Sequence, residues 1–528
     1  MTGTEGSPNP LQRSDFGGRT TTVDVLVIGG GITGATVAYE AASRGLQVAL
    51  VERADYGGAT SAATGRLVHG GLRYLKQFDI GLVRESLAER RTLMSIAPNL
   101  VDPIGMVLPE PGLVERVGLT AYDLLSFDRN RIADRSKRIP RHRILSRDDL
   151  SRRGLTGLRS GALFHDAMMP NPERLTLAFL RSAGAYGAQL ANDVAVETII
   201  GGGGRVVGAQ VRDGRSGRQG EIRARVTVNA TGPWARDVLA NSPVTDVLAP
   251  PAPPVRSEGI YLVTRQLSTT MVLTVSGHSH FSVAPWRGLS LIGPTETPYH
   301  GDVDDWRLTR SSIDDFLETV NTTSMLPVQL GPDDVLAAYG GLRPLTEQTS
   351  TDTYNASRAS ELVDHRADGL DGIVSATGGK YTTSRAFAES TVDTLAAIGG
   401  LQVRPSTSAT AILVGCAASD ADSGIVEQLY GGAAPAVHAL ADEDSRLARI
   451  VTHDGIPLAA LAYSARFESP RSLSDLLLRR TGIGTVGLPA DDDLAEMAAV
   501  AGAELGWDDT RIDAEIKASR AELSVPDH

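Results

Sequence analysis

Three glycines and one acid carry the first chemistry legible in this chain. Gly29, Gly31 and Gly34 stand at the G-x-G-x-x-G spacing, and Glu52 closes the stretch that they open. The glycines serve three separate needs, which are a tight turn, a close backbone approach to a pyrophosphate, and close packing of a helix on a strand. A terminal carboxylate accepts hydrogen bonds from a ribose diol and disfavours a 2′-phosphate. Together these residues suit a dinucleotide. A glycine turn of purely structural use is the alternative that spacing alone leaves open.

The elements needed to position such a site are all present in order. Asp24 to Ile28 is a β-branched run ending at glycine, the pattern of a buried parallel strand. From about Thr33 to Arg44 a helix carries Ala35, Ala38, Ala41 and Ala42, small enough to lie close on a sheet, with Gly45 as its left-handed cap. The free N–H groups at its start face the phosphates. Gln47 to Val51 returns as a strand to Glu52.

After Glu52 the chain is dense in Gly, Ser and Thr and then turns basic and aromatic, through His69, Arg73 and Tyr74. Thr60, Ser61 and Thr64 suit a loop that crosses a cofactor and donates hydrogen bonds to its phosphates. A surface loop is the plainer reading. The strand over 221–229 ends in Ala-Thr-Gly, a second glycine turn able to reach a cofactor from the other side. The runs 193–200 and 205–211 alternate as strands around four glycines, and 250–300 reads as strands of a second, largely antiparallel sheet. Helices are expected over 85–98 and, singly or as a pair, over 302–325. A last buried strand over 371–376 leads into GGKYTTSRAFAES and a helix. Beyond about Val414, Ala, Leu and charge recur at helical spacing, which suits packing, oligomer contact or partner contact.

Composition narrows the class. At 528 residues, 41% hydrophobic and 22% charged, the chain is an ordinary globular protein of several domains. A net charge of -12 argues against general nucleic-acid binding. Its one cysteine, Cys416, rules out an intrachain disulfide framework, fits a reducing cytosol and reads as a buried structural thiol. No apolar run nears the roughly 20 residues needed to span a bilayer, and the N-terminus lacks a signal pattern, so a cytoplasmic location is expected. Residues 1–22, poor in apolar side chains, read as a disordered lead-in. The region from Arg129 to Arg159 is strongly basic against only Asp134, Asp148 and Asp149. It could hold anionic lipid headgroups peripherally on the cytoplasmic membrane face, or be a solvated or substrate-steering surface.

The loop after Glu52 makes the reading specific. GATSAATGRLVHGGLRYL, from Gly58 to Leu75, resembles the signature of the FAD-dependent glycerol-3-phosphate dehydrogenase and oxidase family. NATGPW at 229–234, Pro285-Trp286, GGLRPL at 340–345, Arg358 and the GGKYTT run ending at Thr383 resemble further family motifs in the same order. The resemblance implies a Rossmann-like FAD-binding fold, α/β, with an antiparallel-sheet substrate domain interleaved through 23–413 and a C-terminal helical domain over 414–528. It implies FAD held by Gly29, Gly31, Ile32, Thr33, Gly34, Glu52, Thr60, Ser61, Thr64, Val196, Thr231, Gly232, Gly379, Lys380, Tyr381 and Thr382. It also implies oxidation of sn-glycerol 3-phosphate to dihydroxyacetone phosphate, with electrons passed to quinone or another acceptor. His69 is then the candidate base, Arg343 and Lys380 polarise the substrate oxygens, and Arg73, Tyr74, Arg358 and Tyr261 bind substrate. A histidine beside two glycines that merely fills a turn, and Arg343 as an ordinary ion-pair partner, are the structural alternatives.

One departure bears on substrate. Where the family usually reads Lys-Gly-x-His, this chain has Glu258, Gly259, Ile260 and Tyr261, and the run T-T-D-T is altered to Pro294, Thr295, Glu296 and Thr297. Another phosphorylated or phosphonate hydroxy compound would keep the cation clamp, and a non-catalytic flavoprotein is the reading from a different class.

Overall fold

The computed structural model describes residues 11–527 apart from 241, 243, 245–255, 277–278, 325, 327–328, 344–359 and 419–422. The β-branched run before Gly29 forms β1 (Thr20–Ile28), the alanine-rich segment α1 (Ile32–Ser43), and the return β2 (Val48–Val51). Val25, Leu26 and Val27 are fully buried, as a central parallel strand covered on both faces requires. Ala35, Ala38 and Ala41 are equally buried, and their small side chains let α1 approach the sheet.

Two sheets organise the molecule. The first has eight strands, with a main path in the order Glu361–Asp364, Ile373–Thr377, Gln219–Asn229, β1, β2 and Gln189–Ala191. Val25 lies beside Val48 on one flank and Val226 on the other, both in parallel register. The expected hairpin is present as Val194–Gly202 and Arg205–Asp213 and extends this sheet through the outer half of Gln219–Asn229. The second sheet has ten strands and is largely antiparallel. Near one end Arg256–Arg265 pairs with Leu289–Gly293, Thr297–Tyr299 and Val335–Arg343, and the sheet continues to Asp102–Pro109, Gly161–Met168 and the short Leu67–Val68. Because Leu67–Val68 belongs to the second sheet and follows directly from the loop leaving β2, one stretch of chain, 52–68, spans both sheets.

Helices α2 (Ile80–Ile96) and α3 (Leu113–Leu125) lie beside the second sheet. The helices after Ile425 build a core of their own from residues such as Val437, Leu461, Leu476 and Met497. Among the described residues no helix is long and apolar enough to cross a membrane.

One expectation is corrected. The lead-in is not disordered over residues 11–22: Leu11 and Phe16 are buried, Leu11 N donates to Phe467 O at 2.8 Å, and Arg13 pairs with Asp213 at 2.7 Å. Two apolar anchors suffice where average composition suggested none. Of the two readings for the charged region after Asp302, the single helix holds among the described residues, as Arg310–Thr323, capped by Thr309. The basic stretch 129–159 divides. Lys137 is buried on Asp102, and Arg129 donates to backbone carbonyls of Asp123, Ser126 and Ile139, while Arg131, Arg135, Arg138, Arg141, Arg143 and Arg147 are exposed.

Candidate active site

The two sheets face each other across a cavity of about 1750 Å³. At one end its wall is glycine backbone. Gly29 adopts φ +107°, and a Cβ there would lie 2.6 Å from the Ala230 carbonyl oxygen; one on Gly34 would lie 1.9 Å from the carbonyl oxygen of Gly29. Both positions therefore exclude side chains, and the start of α1 is brought under the turn. Gly34 itself packs behind the wall, whereas Gly29, Gly31, Ile32 and Thr33 form it.

Ser61 Oγ accepts the Ile32 amide hydrogen at 2.9 Å, so this hydroxyl and the helix start share one pocket. Glu52 accepts from the amides of Gly30 (2.7 Å) and Ala54 (2.8 Å), and burial raises its carboxyl above the usual range while those two bonds oppose the rise. Thr60 donates to Leu342 O at 2.7 Å, and the Thr64 hydroxyl accepts from the Arg66 amide at 3.1 Å. These two threonines line the cavity, yet both hydroxyls bond to protein groups that tie the loop down. Val196, Thr231, Gly232, Gly379, Tyr381 and Thr382 complete the same wall. A glycine-floored cavity with a helix N-terminus at one end and a carboxylate on its side fits a flavin adenine dinucleotide.

At the other end the wall is made of charged and aromatic side chains. His69, Arg73, Tyr74, Tyr261, Arg343 and Lys380 all face the cavity. The loop carrying His69 is fixed from two sides: its amide donates to Thr382 Oγ1 at 3.1 Å, and the Gly70 amide donates to the buried Asp166 at 3.2 Å. Asp166 also accepts from Tyr122 and Arg90. Lys380 Nζ lies 3.8 Å from the centre of the Tyr74 ring and 3.1 Å from Ser86 Oγ. Burial pushes its amine down to about 7; Asp79 and Glu85 oppose that shift and Arg73 adds to it.

Arg343 ends the strand Val335–Arg343 and crosses Gly259, where a Cβ would lie 1.8 Å from its Nη2. Tyr261 is buried and stacks on Tyr339 with ring centres 5.1 Å apart. Glu258, the other half of that departure, lies outside the cavity wall and accepts from Trp306 at 2.7 Å. Arg358 lies outside the described residues.

Sequence reasoning missed Glu296, which lines the cavity between two cations, 3.4 Å from Arg73 and 3.7 Å from Arg343. Its signal was the altered run Pro294 to Thr297. It also missed Arg479 and Glu522, which reach the cavity from the C-terminal helices and carry no local signature. Cys416 keeps some surface, but burial pushes its thiol up to about 12, so it is not a thiolate at neutral pH. Among the described residues no group of His, Cys, Asp and Glu could hold a metal ion.

Residues 24–392 match the family described as FAD dependent oxidoreductase, and 391–512 match the C-terminal domain of alpha-glycerophosphate oxidase. The chain is 33% identical to glycerol-3-phosphate dehydrogenase 2 of Mycobacterium tuberculosis, over 93% of this chain and 86% of the relative. It is also 33% identical to an alpha-glycerophosphate oxidase of Streptococcus pyogenes, over 67% of this chain and 59% of that protein. Among solved structures, the glycerol-3-phosphate dehydrogenase from Bacillus halodurans complexed with FAD superposes with a TM-score of 0.72 at 28% identity, covering 95% of this chain and 94% of that one. With the glycine cradle, the two-sheet cavity and these relatives in hand, the chain belongs to the FAD-dependent oxidoreductases, in the family of glycerol-3-phosphate dehydrogenases and alpha-glycerophosphate oxidases, and FAD is its cofactor.

Proposed function

We propose that the chain oxidises sn-glycerol 3-phosphate to dihydroxyacetone phosphate and passes the electrons to a quinone. The observation that carries this reading is the meeting of His69, Arg73, Arg343 and Lys380 at one end of the cavity whose other end is the glycine cradle. The bound flavin supplies the hydride acceptor. The chain's own residues bind the anion, orient the secondary hydroxyl and remove its proton.

Arg73 and Arg343 hold the phosphate, because a planar guanidinium presents paired donors to paired oxygens. Glu296 bridges the two arginines, offsets their mutual repulsion and limits the net positive charge, so a dianion is preferred to a larger polyanion. His69 takes the hydroxyl proton, and its rigid backbone anchoring by Thr382 and Asp166 holds it in place. Lys380 as an ammonium polarises the substrate oxygen and stabilises developing negative charge. Its lowered basicity favours a second reading in which the neutral amine is the base. Tyr74 seats Lys380, and Tyr261, backed by Tyr339, closes the wall. Arg358 keeps a phosphate-binding role in this proposal. That Glu258 is turned to Trp306 and away from the cavity supports the unmodified substrate over a phosphonate analogue.

A lipophilic acceptor is supported by the cavity's outer rim. Phe78 (86% exposed), Leu113 (79%), Val114 (70%) and Val117 (62%) are apolar side chains that line the cavity on its solvent side. An exposed apolar collar of this kind is uncommon on a monomer and marks a site of contact. The exposed arginines of 131–147 support peripheral contact with an anionic membrane.

A steady-state screen of glycerol phosphates and a phosphonate analogue, each against oxygen and a short-chain quinone, tests the proposal. Turnover with sn-glycerol 3-phosphate and quinone is expected. Turnover confined to the phosphonate, or oxygen used as readily as quinone, would contradict it.

A further inference from the structure

The segment that leaves β2 carries Glu52 and then crosses the cavity, yet it is not held by the FAD-binding region alone. Asp55, buried on this segment, receives both terminal nitrogens of Arg480 at 2.7 Å, Arg479 Nε at 2.8 Å and Asn192 Nδ2 at 3.0 Å. Burial alone would raise this carboxyl; Arg480 and then Arg479 hold it far below the ordinary range. Both arginines come from the C-terminal helical domain, out of a π-helical turn, Asp475–Arg480. Such turns are rare and occur frequently at functional sites.

The grip is itself anchored. Arg480 is fully buried, and its Nε donates to Glu468 O at 3.0 Å, while Arg174 of the FAD-binding region donates to both Glu468 carboxylate oxygens and to Arg480 O. Arg479 packs on Gly58, where a Cβ would lie 3.7 Å from its Cδ, and forms part of the cavity wall beside Ala59. The C-terminal domain thus both fixes and completes the loop that runs from the ribose-binding acid to Ser61.

We propose that Asp55, held by Arg479 and Arg480, is a positioning residue for FAD, so that seating of the C-terminal domain and retention of the flavin are one coupled equilibrium. A loop fixed in its binding shape loses less freedom when the nucleotide arrives, and this raises affinity without a new contact. Coupling of this kind is reciprocal: FAD must in turn tighten the C-terminal domain. The inference rests on the FAD site and not on which alcohol is oxidised.

The test uses the full chain in apo form. Flavin fluorescence quenching gives the FAD Kd of wild type, Asp55→Asn and Arg480→Gln, and hydrogen exchange follows the amides of 468–481 with and without FAD. Both variants should bind FAD roughly tenfold or more weakly, within the usual range of coupling between sites. FAD should protect 468–481 in wild type and not in the variants, Arg480→Lys should recover part of the affinity, and saturating FAD should restore wild-type kcat. Kd within twofold of wild type in both variants, or exchange at 468–481 indifferent to FAD in wild type, would overturn the proposal. If Asp55→Asn does not fold, Arg479→Gln keeps the Arg480 pair: a several-fold rise in Kd is then expected, and a change under twofold overturns it.

Discussion

At the nucleotide end of the cavity the wall is backbone, and at the charged end it is side chain. Glycine at 29 and 34 is demanded by distances of 2.6 Å and 1.9 Å to carbonyl oxygens, so the first end is specified by what is absent. The second end is specified by charge: two arginines share Glu296, and a lysine is buried against Tyr74 until its amine is pushed down to about 7. The first end should therefore fail in an all-or-none way, and the second should fail gradually and with pH.

Gly34→Val breaks the comparison at its most rigid point. Its side chain must enter space held by the Gly29 carbonyl, so the purified variant is expected to hold no FAD, read as loss of visible absorbance per protein. Normal flavin content would mean that the turn tolerates a Cβ and that the cradle is not the anchor. Lys380→Met should leave the flavin bound and lower kcat by about 10²–10³, the usual loss when one preorganised charge is removed. With the ammonium as the proposed working form, wild-type kcat/KM should fall as pH rises through about 7, and this limb should be missing in the variant. A rise through the same pH that is present in wild type and lost in Lys380→Met would instead make Lys380 the base.

Arg343→Ala should raise KM and lower kcat with FAD retained; unchanged kinetics would remove Arg343 from the site. Gly259→Ala sharpens this, since a methyl group 1.8 Å from Nη2 must displace the guanidinium while leaving every charge in place. Its KM is expected to move in the direction of Arg343→Ala by a smaller factor. The smallest effect is expected at the rim: Val117→Ser with Phe78→Ser should lower quinone-linked turnover several-fold and leave a water-soluble dye acceptor unaffected. Equal loss with both acceptors would assign the collar to folding.

The nucleotide end was readable because its rule is local. Strand, glycines, helix and acid lie within Asp24–Glu52, and backbone sterics leave few alternatives there. The charged end was pointed to only through resemblance, since nothing near Lys380 announces that Tyr74 and Ser86 will bury it. Thr60 shows the limit in the other direction: a hydroxyl suited to phosphates is bound to Leu342 O, a partner far away in the chain. The lead-in misled because a polar average hides Leu11 and Phe16. Asp55 and Arg480 were invisible for the same reason as Glu296: each becomes chemistry only through a partner that the fold supplies.

Adding sn-glycerol 3-phosphate to the FAD-loaded protein without oxygen, and following the flavin absorbance, tests the central claim most directly. Bleaching of one flavin per chain is predicted, with its colour returning on addition of quinone. A flavin that stays oxidised in the presence of saturating substrate would contradict the account.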